Sequence, residues 1–335
     1  MRIAVLGLGF MGGVHLRAWR QVAGATLAAV FSNDERQLSG DLTAAQGNLG
    51  QPSERFDFSA VKQYRDFGAL LDDSEIDAVD VCLPTFLHED AAIEALRAGK
   101  HVLVEKPMAL EGASTRRMIG AAKRAGRILM TAHVLRFFPE YVALRHALPG
   151  LGLVRGAFFR RRCAVPAWGG WLQDPEKSGG GVFDLLIHDI DMCLHLFGRP
   201  EAVSAVGRCD AESGLDMLHG QLFYPFGVVA VSGGWQPAPA FPFTMEYSVT
   251  GERGTIEYHS AGRPPTLYAQ TAEALPLEGR DGYTAEIEYF VECCRLGRQP
   301  ERCPPRESAQ AVDLMRALLV ARERDGRKIL CSNLG

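Results

Sequence analysis

Short apolar runs separated by amphipathic segments fill the first third of the chain. RIAVLG, at residues 2–7, is a continuous apolar run bounded by glycine, which is typical of a strand buried on both faces of a parallel sheet. Four further runs are predicted to be strands: TLAAVFS (26–32), AVDVCLP (78–84), HVLVEKP (101–107) and RILMTAHV (127–134). Helical patterns such as HEDAAIEALRAG lie between several of them. Strands that alternate with helices predict right-handed crossovers and a parallel sheet.

The second part of the chain has a different pattern. Within SGGGVFDLLIHDIDMCLH (178–195), three glycines precede an apolar run with helical spacing. Its buried face is predicted to contain Phe183, Ile187, Ile190, Leu194 and Phe197. Strand-like runs without long helices between them follow: EAVSAVGRC, MLHGQLFY, VVAVSGGW, FTMEYSVTG and RGTIEYH. Their hairpin-length spacings favour antiparallel pairing.

Length and composition fit a globular α/β protein with two domains. The 335 residues are 47% hydrophobic and 23% charged, so they can bury a large core, and about 150 residues per domain gives two domains. We place these at residues 1–134 and 135–335. Residues 36–57 contain several turn formers and are predicted to be a loop or a short irregular helix.

Charge and cysteine content exclude several classes of function. A formal net charge of -4 with scattered signs offers no basic patch, so we expect no nucleic-acid partner. No apolar run approaches the roughly 20 residues of a membrane span, and MRIAVLGLGFMGG does not have the pattern of a signal peptide. The eight cysteines show neither C-x-x-C nor zinc-ribbon spacing, which predicts reduced thiols and a cytoplasmic location.

A glycine-rich turn, GLGFMG, follows the first predicted strand. Gly7 permits a tight turn, Gly9 lets the backbone approach a pyrophosphate, and Gly12 lets the next helix pack close to the strand. Backbone amides at the start of that helix, including those of Phe10 and Met11, would hold the anionic group. The motif alone is common, but the surrounding strand and helix pattern favours dinucleotide binding over a purely structural turn.

The end of the second predicted strand bears on which dinucleotide is bound. An acidic residue about 20 residues past the glycines usually binds the ribose 2′-hydroxyl in NAD sites. Here Ser32 and Asn33 occupy that place, and Asp34 comes two positions late. Ser32 would not repel a 2′-phosphate and Arg36 could reach one, which slightly favours NADP. If Asp34 shifts into the usual role, the cofactor is NAD.

Taken together, these motifs resemble those of the Gfo/Idh/MocA oxidoreductases, which include glucose-fructose oxidoreductase and inositol dehydrogenase. GLGFMGGVH, LPTFLH (83–88), EKPMAL (105–110) and SGGGVFDLLIHDID (178–191) occur in that order, and DGYTAEIEYFVECCRLGRQP is similar to the family's C-terminal region. The resemblance covers nearly the whole chain. EKP combined with D-x-x-x-H is a specific combination, whereas many dehydrogenases share the glycine motif. The sequence departs from the family pattern at Leu83 and Ser32.

The resemblance implies a Rossmann domain with a doubly wound parallel sheet, followed by an α/β domain with an open, largely antiparallel sheet. Such a sheet often supports oligomer contacts, so we expect a homodimer or homotetramer. Lys106, Asp184 and His188 are the implied catalytic residues. The expected cofactor-binding residues are Gly7, Gly9, Phe10, Met11, Gly12, Ser32, Asn33, Arg36, Pro84, Thr85, His88, Glu105 and Lys106. The expected substrate-binding residues are Lys106, Arg136, Trp171, Asp184, His188 and Asp191, although Trp171 could equally be a packing residue.

These residue types suit the oxidation of a secondary alcohol. His188 could take the hydroxyl proton, because its usual pKa of about 6.5 lies near working pH. Asp184, one helical turn earlier, could orient the imidazole or bind a neighbouring substrate hydroxyl. Lys106 follows a predicted strand, at the sheet edge where open α/β sheets bind ligands, and would stabilise an alkoxide. Alternatively, Lys106 is a surface lysine paired with Glu105, and His188 is a packed histidine.

The polar residues of the glycine-led helix could also bind a metal, because Asp184, His188 and His195 have suitable spacing. No second cluster of ligand residues accompanies them in the sequence, so we predict no metal and a structural role for His195. The glycines before the helix are expected to leave room for substrate or nicotinamide.

We therefore predict an NAD(P)-dependent oxidoreductase that transfers a hydride between nicotinamide and a secondary alcohol or ketone of a sugar, inositol or related polyol. Two alternatives stay open. One is a redox-assisted glycoside hydrolase or lyase that regenerates its cofactor. The other is a regulator that senses NAD(P) without catalysis.

Overall fold

The computed structural model describes residues 1–47, 54–277 and 279–334, which form two compact units. The first unit comprises Met1–Val134 with Asp281–Ala309, and the second comprises Leu135–Arg280 with Gln310–Gly335. The sequence division assigned residues 281–309 to the second domain, whereas the structure groups them with the first. Helix Gly282–Leu296 lies against helix Phe10–Trp19, a long-range contact that no local sequence pattern reveals.

The first unit is built on a six-stranded parallel sheet. Its elements up to Val134 are β1 (Arg2–Leu6), α1 (Phe10–Trp19), β2 (Thr26–Phe31), α2 (Glu35–Leu38), β3 (Lys62–Tyr64), α3 (Phe67–Asp72), β4 (Ala78–Val81), α4 (His88–Arg97), β5 (His101–Glu105), α5 (Gly112–Ala125) and β6 (Leu129–Ala132). The strand order is β3-β2-β1-β4-β5-β6, and every neighbouring pair is parallel. The predicted Rossmann sheet is confirmed. The order reverses between β1 and β4, where sheets of this kind bind ligands beyond the carboxyl ends of their strands.

The five strands predicted in this unit are all present. Each ends one or more residues earlier than its apolar run, because the chain turns into a loop there. The short strand β3 was not predicted, since its residues KQY are exposed or half-buried and form no apolar run. Within residues 36–57 the structure has the end of α2 and an isolated bridge between Asp41 and Arg55, while residues 48–53 lie outside the described residues.

The second unit contains a nine-stranded sheet. Its elements, together with the two long helices near the C-terminus, are α6 (Pro139–Ala147), β7 (Val154–Ala164), α7 (Pro175–Ser178), α8 (Gly180–Phe197), β8 (Ala202–Asp210), β9 (Leu215–Tyr224), β10 (Gly227–Gln236), β11 (Thr244–Gly251), β12 (Gly254–His259), β13 (Arg263–Tyr268), β14 (Ala272–Ala274), α9 (Gly282–Leu296), α10 (Pro305–Glu323) and β15 (Ile329–Leu330). The strand order is β14-β13-β12-β11-β7-β10-β9-β8-β15. β7 and β10 are parallel and the other neighbouring pairs are antiparallel. The open, largely antiparallel sheet is confirmed.

Strand β7 was missed because its sequence, VRGAFFRRRCA, contains three consecutive arginines. Successive strand residues point to opposite faces of a sheet, which separates these arginines. Arg161 is buried and binds Asp189 of α8, whereas Arg160 on the other face pairs with Glu246 of β11. The run is therefore compatible with a central strand.

Helix α8 packs on one face of this sheet, mainly against β10, β7 and β9. Of the residues predicted to form its buried face, Phe183, Ile187, Ile190 and Leu194 are buried and Phe197 is half-buried. Among the helices that the structure describes, none is both long and apolar enough to cross a membrane.

Candidate active site

The glycine turn after β1 leaves one face of the backbone open. Gly7 has φ +89°, and a Cβ there would lie 2.7 Å from the carbonyl oxygen of Cys82. A Cβ on Gly12 would lie 2.1 Å from the carbonyl oxygen of Gly7, so a side chain cannot fit between β1 and α1. A Cβ on Gly9, by contrast, would have no heavy atom within 4 Å.

The start of α1 offers backbone amides to an anion. Gly9 is the N-cap residue, no side chain caps this end, and the first turn contains no acidic residue. The first N–H groups of a helix, here those of Phe10, Met11 and Gly12, have no intrahelical acceptor. This helix start and the open face of Gly9 lie where the strand order reverses, and together they fit the pyrophosphate of a dinucleotide.

Alanine substitution is expected to have different effects at Gly9 and at Gly12. Gly9→Ala should leave the melting temperature close to that of the wild type but weaken NADH binding by about tenfold or more, because the methyl group enters the open face. Gly12→Ala should reduce the free energy of unfolding by about 2 kcal/mol or more, since its methyl overlaps a carbonyl. Thermal denaturation and fluorescence titration with NADH measure both effects. Normal NADH affinity in a folded Gly9→Ala variant would contradict this placement.

The loop after β2 contains the residues predicted to select the dinucleotide. The Ser32 hydroxyl donates to Gln37 at 2.7 Å and accepts from the Asp34 amide at 3.1 Å. The Asp34 carboxylate caps α2 by accepting from the Arg36 amide at 2.8 Å. The Arg36 guanidinium donates to Asp41 at 3.1 Å. Ser32, Asp34 and Arg36 thus make their contacts within the loop, and the neighbouring Asn33 is exposed.

His88 lies between the loops that follow β4 and β5. Its ring nitrogens are 2.9 Å from the Pro107 carbonyl oxygen and 2.8 Å from the Leu83 carbonyl oxygen, and the side chain is buried. The sequence predicted a cofactor contact for His88, but both ring nitrogens face the backbone of the protein. His88 therefore holds the two loops together. The predicted cofactor residues Pro84 and Thr85 lie in the first of these loops, half-buried and buried respectively.

A buried ionic cluster that the sequence did not predict links α1 to β4 and β5. His15 lies between two carboxylates: Nδ1 is 2.8 Å from Asp80 and Nε2 is 3.0 Å from Glu105. Trp19 donates to the same Asp80 oxygen at 2.7 Å. Burial lowers the pKa of His15, but the charges of and hydrogen bonds with its neighbours, those of Asp80 first among them, together outweigh this and raise the pKa well above its usual value. His15 is therefore an imidazolium that donates to both acids.

Two members of this cluster, together with Cys82, have potential metal-ligand atoms that lie close together. Ligand atoms of His15, Asp80 and Cys82 lie within 4.8 Å of one another. His15 and Asp80 are already joined by a hydrogen bond, and Cys82 donates to Asp80 at 3.6 Å. Burial raises the pKa of the Cys82 thiol far above its usual value, which keeps it protonated. The geometry is that of a hydrogen-bonded cluster.

Lys106 directly follows β5, at the carboxyl edge of the parallel sheet. Its backbone amide donates to Oε2 of Glu105 at 2.9 Å, and the Lys106–Pro107 peptide bond is cis. Glu105 is only 6% exposed and its second oxygen faces His15. Glu105 is thus part of the buried cluster rather than a surface partner, and Lys106 is half-buried.

In the second unit, Asp184 and His188 lie on the same face of α8. Every residue from Gly181 to Leu194 is buried except these two, which are half-buried and one helical turn apart. The helix is otherwise enclosed by apolar packing and by two ion pairs. Asp184 and His188 are therefore the polar groups that this stretch of α8 can offer to a substrate.

The other two acids of α8 are neutralised by arginines. Arg136 donates to Asp191 at 2.8 and 2.6 Å, and the two side chains are 0% and 1% exposed. Arg161 of β7 donates to Asp189 at 2.9 Å, again with both side chains buried. Arg136 and Asp191 were predicted to bind substrate, whereas the structure pairs them with each other. Their charged groups fix α8 in place.

The start of α8 is held by a carboxylate from the sheet. Asp216 of β9 accepts from the Val182 amide at 2.9 Å and from Arg322 at 2.7 Å. A Cβ on Gly180, whose φ is +83°, would lie 2.7 Å from this carboxylate, and one on Gly181 would lie 2.3 Å from the Trp235 ring. The expectation that these glycines make room for substrate is therefore corrected: they make room for Asp216 and Trp235.

Two further predicted residues lie at the ends of this region. Trp171 is half-buried in the segment between β7 and α7, and its contact with substrate stays a prediction. His195 is half-buried in the last turn of α8, which ends at Phe197.

Comparison with known proteins determines the family. Residues 1–133 match an oxidoreductase family, NAD-binding Rossmann fold, and residues 151–329 match the C-terminal alpha/beta domain of the same family. The chain belongs to the Gfo/Idh/MocA oxidoreductases. It is 33% identical to inositol 2-dehydrogenase 2 of Saccharopolyspora erythraea, over 87% of this chain and 84% of the relative. It is 40% identical to 1,5-anhydro-D-fructose reductase of Ensifer adhaerens, over 69% of this chain and 73% of the relative.

A solved Gfo/Idh/MocA structure shows the same architecture. The UDP-N-acetylglucosamine 3-dehydrogenase of Acidithiobacillus ferrooxidans superimposes with a TM-score of 0.79 at 26% identity, over 97% of this chain and 98% of that one. The family predicted from the motifs is confirmed. The protein is an oxidoreductase with an NAD-binding Rossmann domain, in a family of enzymes that act on sugars and polyols.

Proposed function

We propose that the protein transfers a hydride between nicotinamide and a secondary alcohol or ketone carbon of a sugar, inositol or related polyol. The observation that best supports this proposal is the exposure pattern of α8. Between Gly181 and Leu194, Asp184 and His188 are half-buried and every other residue is buried. The remaining acids of the helix are neutralised by Arg136 and Arg161. A helix held this rigidly presents one acid and one imidazole in fixed positions, as proton transfer requires.

Each proposed catalytic residue has a distinct task in the oxidation direction. Bound nicotinamide supplies the acceptor for the hydride that leaves the alcohol carbon. His188 accepts the hydroxyl proton as the carbonyl forms. The Lys106 ammonium stabilises negative charge on the same oxygen. Asp184 orients the imidazole or binds a neighbouring hydroxyl of the substrate. In the reduction direction, His188 returns its proton to the oxygen.

The names of the relatives support a polyhydroxylated substrate. One is an inositol dehydrogenase, one reduces an anhydro sugar and one acts on a sugar nucleotide. The test is to incubate the protein with NAD⁺ or NADP⁺ and a panel of sugars, inositols and sugar nucleotides, and to follow the absorbance of the reduced cofactor. Growth on one substrate class supports the proposal. Substrate cleavage without net cofactor reduction would instead favour a redox-assisted hydrolase or lyase, and cofactor binding with no turnover would favour a sensor.

For the cofactor, the contacts in the loop after β2 support NAD rather than NADP. The case for NADP depended on Arg36 reaching a 2′-phosphate, but its guanidinium donates to Asp41 and Thr43. Hydrogen bonds from Thr43 and Arg36 hold the pKa of the Asp41 carboxyl well below its usual range, so Asp41 stays charged. A 2′-phosphate would have to compete with this carboxylate for the same arginine.

Cofactor preference can be tested by releasing Arg36 from Asp41. We expect the wild type to bind NADH about tenfold or more tightly than NADPH. Asp41→Asn removes the competing charge and should improve NADPH affinity without changing NADH affinity, while Asp57→Asn, an exposed acid elsewhere in the unit, should change neither. Fluorescence titration gives two dissociation constants, for NADH and NADPH, for the wild type and for each variant. Tighter binding of NADPH by the wild type would contradict the assignment.

We also propose a homodimer or homotetramer in a reducing, cytoplasmic location. α8 covers one face of the nine-stranded sheet, whereas Val206, 52% exposed, and Val228, 38% exposed, lie on the other face. Apolar residues on an open sheet face support association. None of the eight cysteines, all of which lie in the described residues, is in a disulfide, which suits a reducing compartment. Light scattering should give two or four times the chain mass of 36.6 kDa, and a monomeric mass would contradict the oligomer.

A further inference from the structure

The buried cluster of His15, Asp80 and Glu105 forms a continuous chain of hydrogen bonds that ends at Lys106. Asp80 of β4 accepts from Trp19 and His15, His15 of α1 donates onward to Glu105 of β5, and Glu105 accepts from the Lys106 backbone amide. The partners of His15 lie 65 and 90 residues from it in sequence. Three elements of the sheet unit are thus joined at the residue before Lys106.

Such a cluster needs a reason beyond packing. A buried ion pair must overcome the desolvation of its charges, and apolar residues of the same volume often stabilise a protein as well or better. The His15 and Asp80 side chains are 0% exposed and the Glu105 side chain 7% exposed, so water screens none of the three appreciably. What the charged groups provide, and apolar groups would not, is a fixed direction for the Glu105 carboxylate.

The orientation of the Glu105 carboxylate affects Lys106, because the Lys106 backbone amide donates a hydrogen bond to it. One Glu105 oxygen accepts from His15 at 3.0 Å and the other accepts from the Lys106 amide at 2.9 Å, so each oxygen is held by one donor. Burial would raise the pKa of the Glu105 carboxyl, but the hydrogen bond and charge of His15, with the charge of Lys106, lower it below its usual value. Glu105 therefore remains an anion that orients the peptide bearing the Lys106 side chain.

We propose that His15 is a positioning residue for Lys106, acting through the Glu105 carboxylate that it holds in place. This inference rests on the proposed function, in which the Lys106 ammonium acts on the reacting oxygen. Without the His15 donor, Glu105 is free to rotate or to take up a proton, and the amide of Lys106 loses a fixed acceptor. The ammonium group then occupies a wider range of positions, and misplacement of a reacting group by about 1 Å can cost about 10²-fold in rate.

Two amide substitutions separate the two hydrogen bonds of His15. The amide nitrogen of His15→Gln can take the place of Nε2 and donate to Glu105, whereas that of His15→Asn can take the place of Nδ1 and donate to Asp80. Both variants are uncharged amides, so they differ in which bond they keep and by one methylene group. Trp19→Phe is the control for the Asp80 end of the chain, because it removes one donor to Asp80 and leaves Glu105 untouched.

The kinetic readout is the separation of kcat from cofactor binding and stability. We expect His15→Asn to lower kcat by about 10²-fold and His15→Gln to lower it by only about tenfold. The dissociation constant of NADH should stay within about twofold of the wild-type value in both variants. Trp19→Phe should keep kcat near that of wild type. Equal losses of kcat in the two amide variants, or losses that follow the melting temperature, would overturn the proposal.

A second readout does not depend on turnover. The chain contains six lysines, so reductive methylation with ¹³C-formaldehyde gives few NMR signals, and Lys106→Arg identifies that of Lys106. The Lys106 signal should shift in His15→Asn and stay close to its wild-type position in His15→Gln, while the signals of exposed Lys62 and Lys123 remain in place. An unchanged Lys106 signal in both variants would overturn the proposal.

A third variant keeps the test decisive if His15→Asn does not fold. In Glu105→Gln the anion is lost and one carboxylate oxygen is replaced by an amide nitrogen, which cannot accept a hydrogen bond from His15 or from the Lys106 amide. The Lys106 signal should shift and kcat should fall as for His15→Asn; no change in either would overturn the proposal. Lys106→Ala distinguishes failure of the proposed function: if that variant retains activity, Lys106 has no catalytic role, whereas a dead Lys106→Ala with fully active His15 variants refutes only the positioning role.

Discussion

Replacing Lys106 with alanine is expected to lower kcat by about 10²–10³-fold while leaving NADH binding nearly intact. In the proposed mechanism the ammonium stabilises charge that develops on the substrate oxygen, and removal of one such group typically has an effect of this size. The amides of α1 and the open face of Gly9, which we expect to bind the cofactor, belong to another loop of the sheet unit and should be unaffected. Steady-state kinetics with the substrate found in the panel, and fluorescence titration with NADH, measure the two quantities.

Matched variants show whether this loss is specific to Lys106. Lys123→Ala removes an exposed lysine of α5 and should keep full activity. His188→Ala should lower kcat as Lys106→Ala does, because no group then takes the hydroxyl proton. Comparable activity of a folded Lys106→Ala or His188→Ala variant would defeat the catalytic roles given to these residues.

Replacing Asp191 with alanine is expected to reduce the free energy of unfolding by about 3–5 kcal/mol. The substitution leaves the Arg136 guanidinium buried at 0% exposure without the carboxylate that accepts two of its hydrogen bonds. Urea denaturation followed by tryptophan fluorescence measures the loss. Any loss of activity in the fraction that stays folded should come from a displaced α8, since Asp191 is not assigned to substrate contact.

An exposed ion pair provides the control for this prediction. Arg65 pairs with Glu35, and these side chains are 57% and 81% exposed. Arg65→Ala should cost no more than about 1 kcal/mol, because water screens the pair and solvates the remaining charge. A loss for Asp191→Ala that falls in this range would show that the Arg136–Asp191 pair does not fix α8.

Local patterns in the sequence were sufficient to predict most of the secondary structure of the first unit. Strands such as β1 are buried at nearly every position, so an apolar run identifies them without knowledge of the fold. The glycine turn is equally recognisable as a local motif, and the contact that requires Gly12 is with the carbonyl oxygen of Gly7, within the turn itself. Strands β3 and β7 escaped detection because exposure in one and consecutive arginines in the other break the apolar pattern.

The polar residues of the site were predictable only in part. Helical spacing placed Asp184, His188 and Asp191 near one face of α8. Spacing gives the direction of a side chain around the helix axis, but it does not show which other residues of the fold pack on that side chain. Arg136, 55 residues earlier, covers Asp191 and removes it from the surface that Asp184 and His188 share. His15 was missed for the same reason, because its two carboxylate partners come from β4 and β5. Long-range pairing is set by the fold.

The central claim is that hydride passes between a substrate carbon and nicotinamide on this chain. The most direct measurement is isotopic transfer: the wild type is incubated with NAD⁺ and a panel of sugars and inositols deuterated at their hydroxyl-bearing carbons, and the recovered NADH is analysed by mass spectrometry. We predict deuterium in the NADH formed by the wild type with one substrate class, and an appearance of deuterium that is about 10²–10³-fold slower with Lys106→Ala. Absence of deuterium from the cofactor with every substrate, in a protein that binds NADH, would contradict the claim.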